Sequence, residues 1–212
     1  ARHDLPPAPR QDVAKRKKRK KKTRLPEEFE AKNPGDLVAM DTSVIQEQCQ
    51  KKYIITAVDI ATRFAIARTY RRHNSQSAAD LLRRMQIALG VPIQKVITDN
   101  GSEFMKHFDE ELRRLHKIHW HTYTKTPKMN AHVERFNRTL QDEFLDFHKD
   151  ILRDPDTFNR RLMDYLIWYN TRRVHHAFQN KLSPVQFLAS LTPNQLPPQF
   201  QECKTGWPHT LY

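Results

Sequence analysis

DLVAMDTSVIQEQCQKKYIITAVDIATRFAIARTYR, residues 36–71, is the stretch whose reading decides the fold. It follows Pro34 and Gly35, a pair that punctuates the chain. DLVAMDT (36–42) alternates in part and is apolar enough for a strand, with Asp41 expected near its end. KKYIITAVDI (51–60) reads as a second strand, and Ala61 and Thr62 turn the chain into RFAIARTYR (63–71), a third. Three strands this closely spaced predict an antiparallel meander.

Downstream the period changes. Ala78, Leu81, Leu82, Met85 and Leu89 recur at helical spacing behind Ser75, read as the cap, and Gly90 and Pro92 stop the helix. IQKVIT (93–98) predicts a fourth strand ending at Asp99, with Asn100 and Gly101 turning. A helix over 103–115 and a short strand over 118–123 follow, so the whole is a mixed α/β fold. TKTPKMNA (124–131) has no apolar period and reads as a loop. Beyond it Val133, Phe136, Leu140, Phe144 and Phe147 step by three or four along one buried helical stripe, with Glu134, Arg138 and Gln141 on a neighbouring stripe. Asp156 is expected to cap the next helix, carrying Phe158, Leu162, Tyr165, Leu166 and Tyr169, and Ser183 and Pro184 open a last short one. The expected organisation is a basic arm over 1–33, one core with C-terminal helices over 34–190, and a Pro-rich polar tail over 191–212.

Charge is uneven. The chain carries +13, of which +9 falls in residues 1–24. Lys15, Arg16, Lys17, Lys18, Arg19, Lys20, Lys21 and Lys22 form a run with nothing apolar to bury, expected to be extended when free and to touch DNA without sequence preference through counterion release. No stretch approaches the roughly 18 apolar residues that cross a bilayer, so no membrane partner is expected and the location is expected to be cytoplasmic, nucleoid-associated if the source is bacterial. The two cysteines, Cys49 and Cys203, have no CxxC spacing and suggest neither a disulfide framework nor a thiolate zinc site. A first residue of Ala suggests a piece of a longer protein.

Asp41 and Asp99 lie towards the ends of two strands and Glu134 on a helix beside its apolar stripe. If strands and helix pack together, the three acids meet, and like charges at close range resist joint ionisation unless cations neutralise them. An all-oxygen set suits magnesium or manganese, and two such ions carry phosphoryl transfer without a covalent nucleophile. On this reading Asp41 bridges both ions, while Asp99 and Glu134 each bind one. Taken singly, each acid reads more readily as a turn or solvated residue.

The surrounding strings add to this. DLVAMDT around Asp41, VITDNGSEF (96–104) around Asp99, HVERFNRTLQDEF (132–144) around Glu134, and YNTRRVHHAF (169–178) followed by LSPVQFL (182–188) resemble, in order and separation, the integrase-like DDE transposases of bacterial insertion sequences and the catalytic cores of retroviral integrases. The resemblance runs over roughly residues 34 to 190. It implies a ribonuclease-H-like fold: a mixed five-stranded sheet, three antiparallel strands first, helices on both faces. It also implies Asp41, Asp99 and Glu134 as catalytic metal ligands, two Mg2+ or Mn2+ ions with DNA bound, and an enzyme that cuts element ends and joins the 3′-hydroxyl to target DNA, as a homodimer or higher oligomer on double-stranded DNA. Two departures stand out: thirty-four residues separate Asp99 from Glu134, one fewer than in close relatives, and Ala131 stands where related transposases commonly have Gly. No end-recognition module is visible before residue 34.

Lys125, Lys128, Asn137, Arg138, Gln141, Arg172 and Arg173 are the candidate DNA contacts, with the Arg138 fork the best suited to paired phosphate oxygens. His175 and Arg172 read equally as substrate contacts or helix caps. His119 and His121 share a strand face but have no third soft ligand, and Trp120 and Trp168 are expected in the core or at a subunit contact. A ribonuclease-H-like nuclease without strand transfer, and a catalytically silent DNA-binding or assembly scaffold, are the alternative functions.

Overall fold

The computed structural model describes residues 26, 29–47, 50–122 and 131–191. Among them, five strands form one sheet in the order β3-β2-β1-β4-β5. β1 (Val38–Glu47) pairs antiparallel with β2 (Gln50–Asp59), and β2 with β3 (Ala65–Tyr70), giving the expected meander. β4 (Lys95–Thr98) lies parallel to β1, and β5 (Ile118–His121) parallel to β4. β1 runs well past Asp41, which therefore sits mid-strand rather than near an end. The polar residues beyond it extend the strand because their partners in β2 continue the ladder, from Asp41↔Thr56 to Glu47↔Gln50.

Helices cover both faces, as expected. Strand side chains alternate between faces, so Ala39 and Ile97 join one core with α3 (Ala131–Glu143) and α4 (Pro155–Thr171). Val38, Met40 and Val96 join the other with α1 (Ser75–Leu89), α2 (His107–Arg114) and α5 (Pro184–Leu191). Phe29 packs edge-on against Trp120, so packed chain reaches back at least that far.

Helix ends follow local chemistry. Asn74, not Ser75, caps α1 by accepting from the Ser77 amide, and Gly90 closes it at φ 73°. Asp154, not Asp156, caps α4 by accepting from the Asp156 and Thr157 amides, with Pro155 in the first turn. The helix expected over 103–115 divides into a 3-10 turn at Ser102–Phe104 and α2. α3 stops at Glu143, so Phe147 leaves the apolar stripe and is 74% exposed.

One turn aligns β1 with β4. Gly35 adopts φ 79°, and a Cβ there would stand 2.4 Å from the Pro92 carbonyl oxygen, so only glycine fits. The Gly35 amide donates to buried Asp59, and the Gly35 carbonyl accepts from Gln94 at 2.7 Å. Chain entering β1 is thereby tied both to the end of β2 and to the start of β4.

Candidate active site

Register brings the first two acids together. Val38 pairs with Val96 and Ala39 with Ile97. Two residues further along each chain are Asp41 and Asp99, on the face shared by Ala39 and Ile97, which α3 covers. Asp99 follows the last residue of β4 and folds back on itself, its Oδ1 accepting from the Gly101 amide at 2.8 Å.

Glu134 lies in the first turn of α3, exposed, and one turn later Asn137 reaches the sheet. Asn137 Nδ2 donates to Asp41 Oδ2 at 2.8 Å, while its Oδ1 accepts from the Thr56 hydroxyl at 2.8 Å. Thr56 is the β2 partner of Asp41, so one amide locks helix to strand at the acid itself.

The charges feel one another. Burial pushes the Asp41 carboxyl up to about 6, and the negative charges of Asp99, Glu134 and Glu103 push in the same direction against an opposing bond from the Thr42 backbone. Glu103 was not singled out in the sequence. It is buried, pairs with His73 at 2.8 Å through Oε1, and leaves Oε2 without a hydrogen-bond partner beside Gly101, where a Cβ would stand 2.5 Å from it. The position of Glu103 in VITDNGSEF, four residues after Asp99, was the available signal.

This arrangement suits a hard divalent cation in its chemistry: every donor is a carboxylate oxygen, and Asp41 is raised by burial first and then by neighbouring negative charge. It is not a closed cage, since among the described residues no three His, Cys, Asp or Glu side chains are gathered tightly enough to hold an ion.

The candidate DNA contacts divide. Arg138 is exposed four residues beyond Glu134, on its stripe. Asn137, half-buried, bonds Asp41, a role that its expectation as a DNA contact did not include. Arg173 is committed to Glu143 in a two-pronged pair, 2.7 Å at its shortest, and lies over the Tyr169 ring. Gln141 donates to Asp146, and Arg172 caps the end of α4 through its backbone amide. His175 is buried against Tyr169, its Nε2 unpartnered, and burial followed by Arg173 and Arg63 lowers it to about 4. His119 and His121 lie with ring centroids 4.0 Å apart and tilted by 46°, with His119 between Asp109 and Thr98. Trp120 is buried and Trp168 partly exposed. Lys125, Lys128, the run Lys15–Lys22, Cys49 and Cys203 lie outside the described residues.

Two family models, both described as integrase core domain, match residues 31–127 and 116–183, between them the sheet and the helices that carry this site. The chain carries an integrase core domain. This integrase core is 29% identical over 160 residues to "Putative integrase ORF3" of Spiroplasma virus SpV1-C74, covering 68% of this chain and 43% of the relative, so it spans less than half of that relative's length. Among solved structures it resembles a chain of the simian T-cell lymphotropic virus intasome in complex with PP2A regulatory subunit B56 gamma, with a TM-score of 0.63, 18% identity, and coverage of 80% of this chain and 59% of that one. It also resembles the HTLV-2 integrase catalytic core domain in complex with magnesium, with a TM-score of 0.57, 20% identity, and coverage of 74% and 97%. The fold is therefore the ribonuclease-H-like fold of integrase catalytic cores. Among the described residues no helix is long and apolar enough to cross a membrane.

Proposed function

We propose that this integrase core is the catalytic part of a metal-dependent DNA polynucleotidyl transferase, which cuts at element ends and joins the exposed 3′-hydroxyl to target DNA. The observation that carries the reading is the setting of Asp41, a mid-strand carboxylate raised to about 6 by burial first and then by the negative charges of acids 58 and 93 residues downstream. Such repulsion is destabilising, and a cation relieves it.

Asp41, Asp99 and Glu134 would hold magnesium or manganese, in keeping with the magnesium named for the HTLV-2 core. When bound, such ions lower the pKa of an attacking water or 3′-hydroxyl and stabilise the leaving oxygen. Asn137 fixes the rotamer of Asp41 and keeps one of its oxygens directed at α3. Arg138, exposed on the Glu134 stripe, offers its fork to the DNA backbone. The active form is an oligomer on double-stranded DNA: Ile87, Met163, Ile167 and Trp168 leave apolar surface exposed on α1 and α4, as an interface requires.

A labelled element-end duplex, an unlabelled target duplex and Mn2+ test this reading. Joined products are expected, absent in Asp99→Asn and Glu134→Gln proteins of unchanged melting temperature. Shortened products alone would favour a ribonuclease-H-like nuclease, and neither product a scaffold.

A further inference from the structure

A second feature lies at the foot of α3. A cavity of about 810 Å³ opens between the chain entering β1, the β2–β3 turn, the start of α3 and the segment between α4 and α5. That volume is within the range of small-ligand sites. Lys32, Arg63 and Lys181 bring three cations to its wall, against the single acid Glu30. Glu30 meets Lys32 at 3.8 Å with both side chains more than 70% exposed, so it neutralises little.

The apolar part of the wall is aromatic. Phe178 and Phe187 stack at 4.0 Å and 16°, each half-buried, and Phe29 completes the lining. Two wall residues, Arg63 at φ 61° and Gln179 at φ 57°, occupy the left-handed region that side chains disfavour, as does Asn180 at φ 56° beside them. Such conformations persist where the surroundings enforce them, and they concentrate at ligand sites. His132 is also in the wall.

Cations beside partly exposed aromatic rings are what a single nucleic-acid strand requires: the cations follow phosphates and the rings take bases of any sequence. His132 stands two residues before Glu134 in the first turn of α3, which sets the cavity within a few nucleotides of the proposed cutting position. We infer that this cavity takes unpaired nucleotides next to the phosphate being cut, bases against Phe178 and Phe187 and phosphates on Lys32, Arg63 and Lys181. The inference deepens the proposed function and rests on it for the identity of the strand. A frayed end held here leaves the scissile phosphate at the acids.

Binding without metal separates the two claims. Fluorescence anisotropy in EDTA compares a labelled blunt duplex with the same duplex carrying an unpaired tail of several nucleotides at one end. The protein is expected to bind the tailed duplex about tenfold more tightly, the order of one stacked base. Lys181→Glu should remove most of that preference and reduce the log–log salt slope by about 0.7, the single-strand value for one phosphate contact. Phe178→Leu should remove it with the slope unchanged. Asp99→Asn, inactive in strand transfer, should keep it. Equal binding of both duplexes by the unaltered protein, or retained preference in folded Lys181→Glu and Phe178→Leu proteins, overturns the inference and leaves the proposed chemistry standing. An unaltered protein that shows the preference but yields no joined products with Mn2+ does the reverse.

Discussion

Asn137 Nδ2 donates to Asp41 Oδ2 at 2.8 Å across 96 residues of sequence, and with its other end Asn137 takes the Thr56 hydroxyl. The bond defines how α3 docks on β1 and β2. It also holds Asp41 within electrostatic reach of Glu134, one turn earlier on α3.

Replacing Asn137 by Ala leaves the Asp41 carboxylate free to rotate and Thr56 without its acceptor. Strand transfer should fall on the order of 10–100-fold, as for other residues that orient a metal ligand, with the apparent Mn2+ requirement rising. Activity against Mn2+ concentration, with circular dichroism as the folding control, checks this. Unchanged activity removes Asn137 from the site.

The Asp41 value has a sign that stability measurements read. A carboxyl raised from 3.8 to about 6 prefers its proton in the folded state, so its contribution is fully present below pH 3.8 and is lost as pH rises through 6. Above that, the charged carboxylate destabilises the metal-free fold by up to about 3 kcal/mol. Asp41→Asn, which keeps an acceptor for Asn137, should therefore melt higher than the unaltered protein at pH 8, with the difference vanishing near pH 4. Chemical denaturation across pH 4–8 in EDTA measures it, and a constant difference contradicts the assignment.

Much of this was legible in sequence, and what was not depended on register. Alternation in 36–71 gave the meander because each strand there buries residues on the sheet's two faces. Asp99 at a strand end was readable because Asn100 and Gly101 announce a turn. The length of β1 was not, because Ser43–Glu47 is held by its partner strand and not by local apolar content. Asn137 looked like a surface residue, since nothing local says that its side of α3 meets Thr56; its spacing of three from Glu134 was the only hint. Phe147 fitted the helical period, but the helix ends before it. The pairing of Arg173 with Glu143 was not readable, because the two lie 30 residues apart.

β3 is an edge strand, and α4 closes it with amides. Asn170 accepts from the Ala65 amide at 2.9 Å and donates to the Ala65 carbonyl at 2.8 Å, while Asn159 accepts from the Thr69 amide at 3.0 Å. Asn170→Ala orphans a buried amide and carbonyl and should cost about 2 kcal/mol or more in denaturant unfolding. The Asn159→Ala, Asn170→Ala double variant should also show concentration-dependent aggregation from an unblocked strand edge. A loss below 0.5 kcal/mol, less than the roughly 1–3 kcal/mol of an orphaned buried group, would show these bonds to be incidental.

Ile167, 55% exposed on α4, sits within the apolar surface assigned to self-association. Ile167→Glu should leave the melting temperature within a few degrees and convert an oligomer to monomer in light scattering at micromolar concentration. If the unaltered protein is itself monomeric with DNA bound, the oligomeric part of the proposal fails.

The central claim is that Asp41, Asp99 and Glu134 become one cation site. Anomalous diffraction at the manganese edge, from crystals of the protein with Mn2+ and an element-end duplex, tests it most directly. The account predicts an anomalous peak in contact with carboxylate oxygens of Asp41 and of at least one of the other two acids. Well-ordered DNA with no manganese among those three side chains would contradict it.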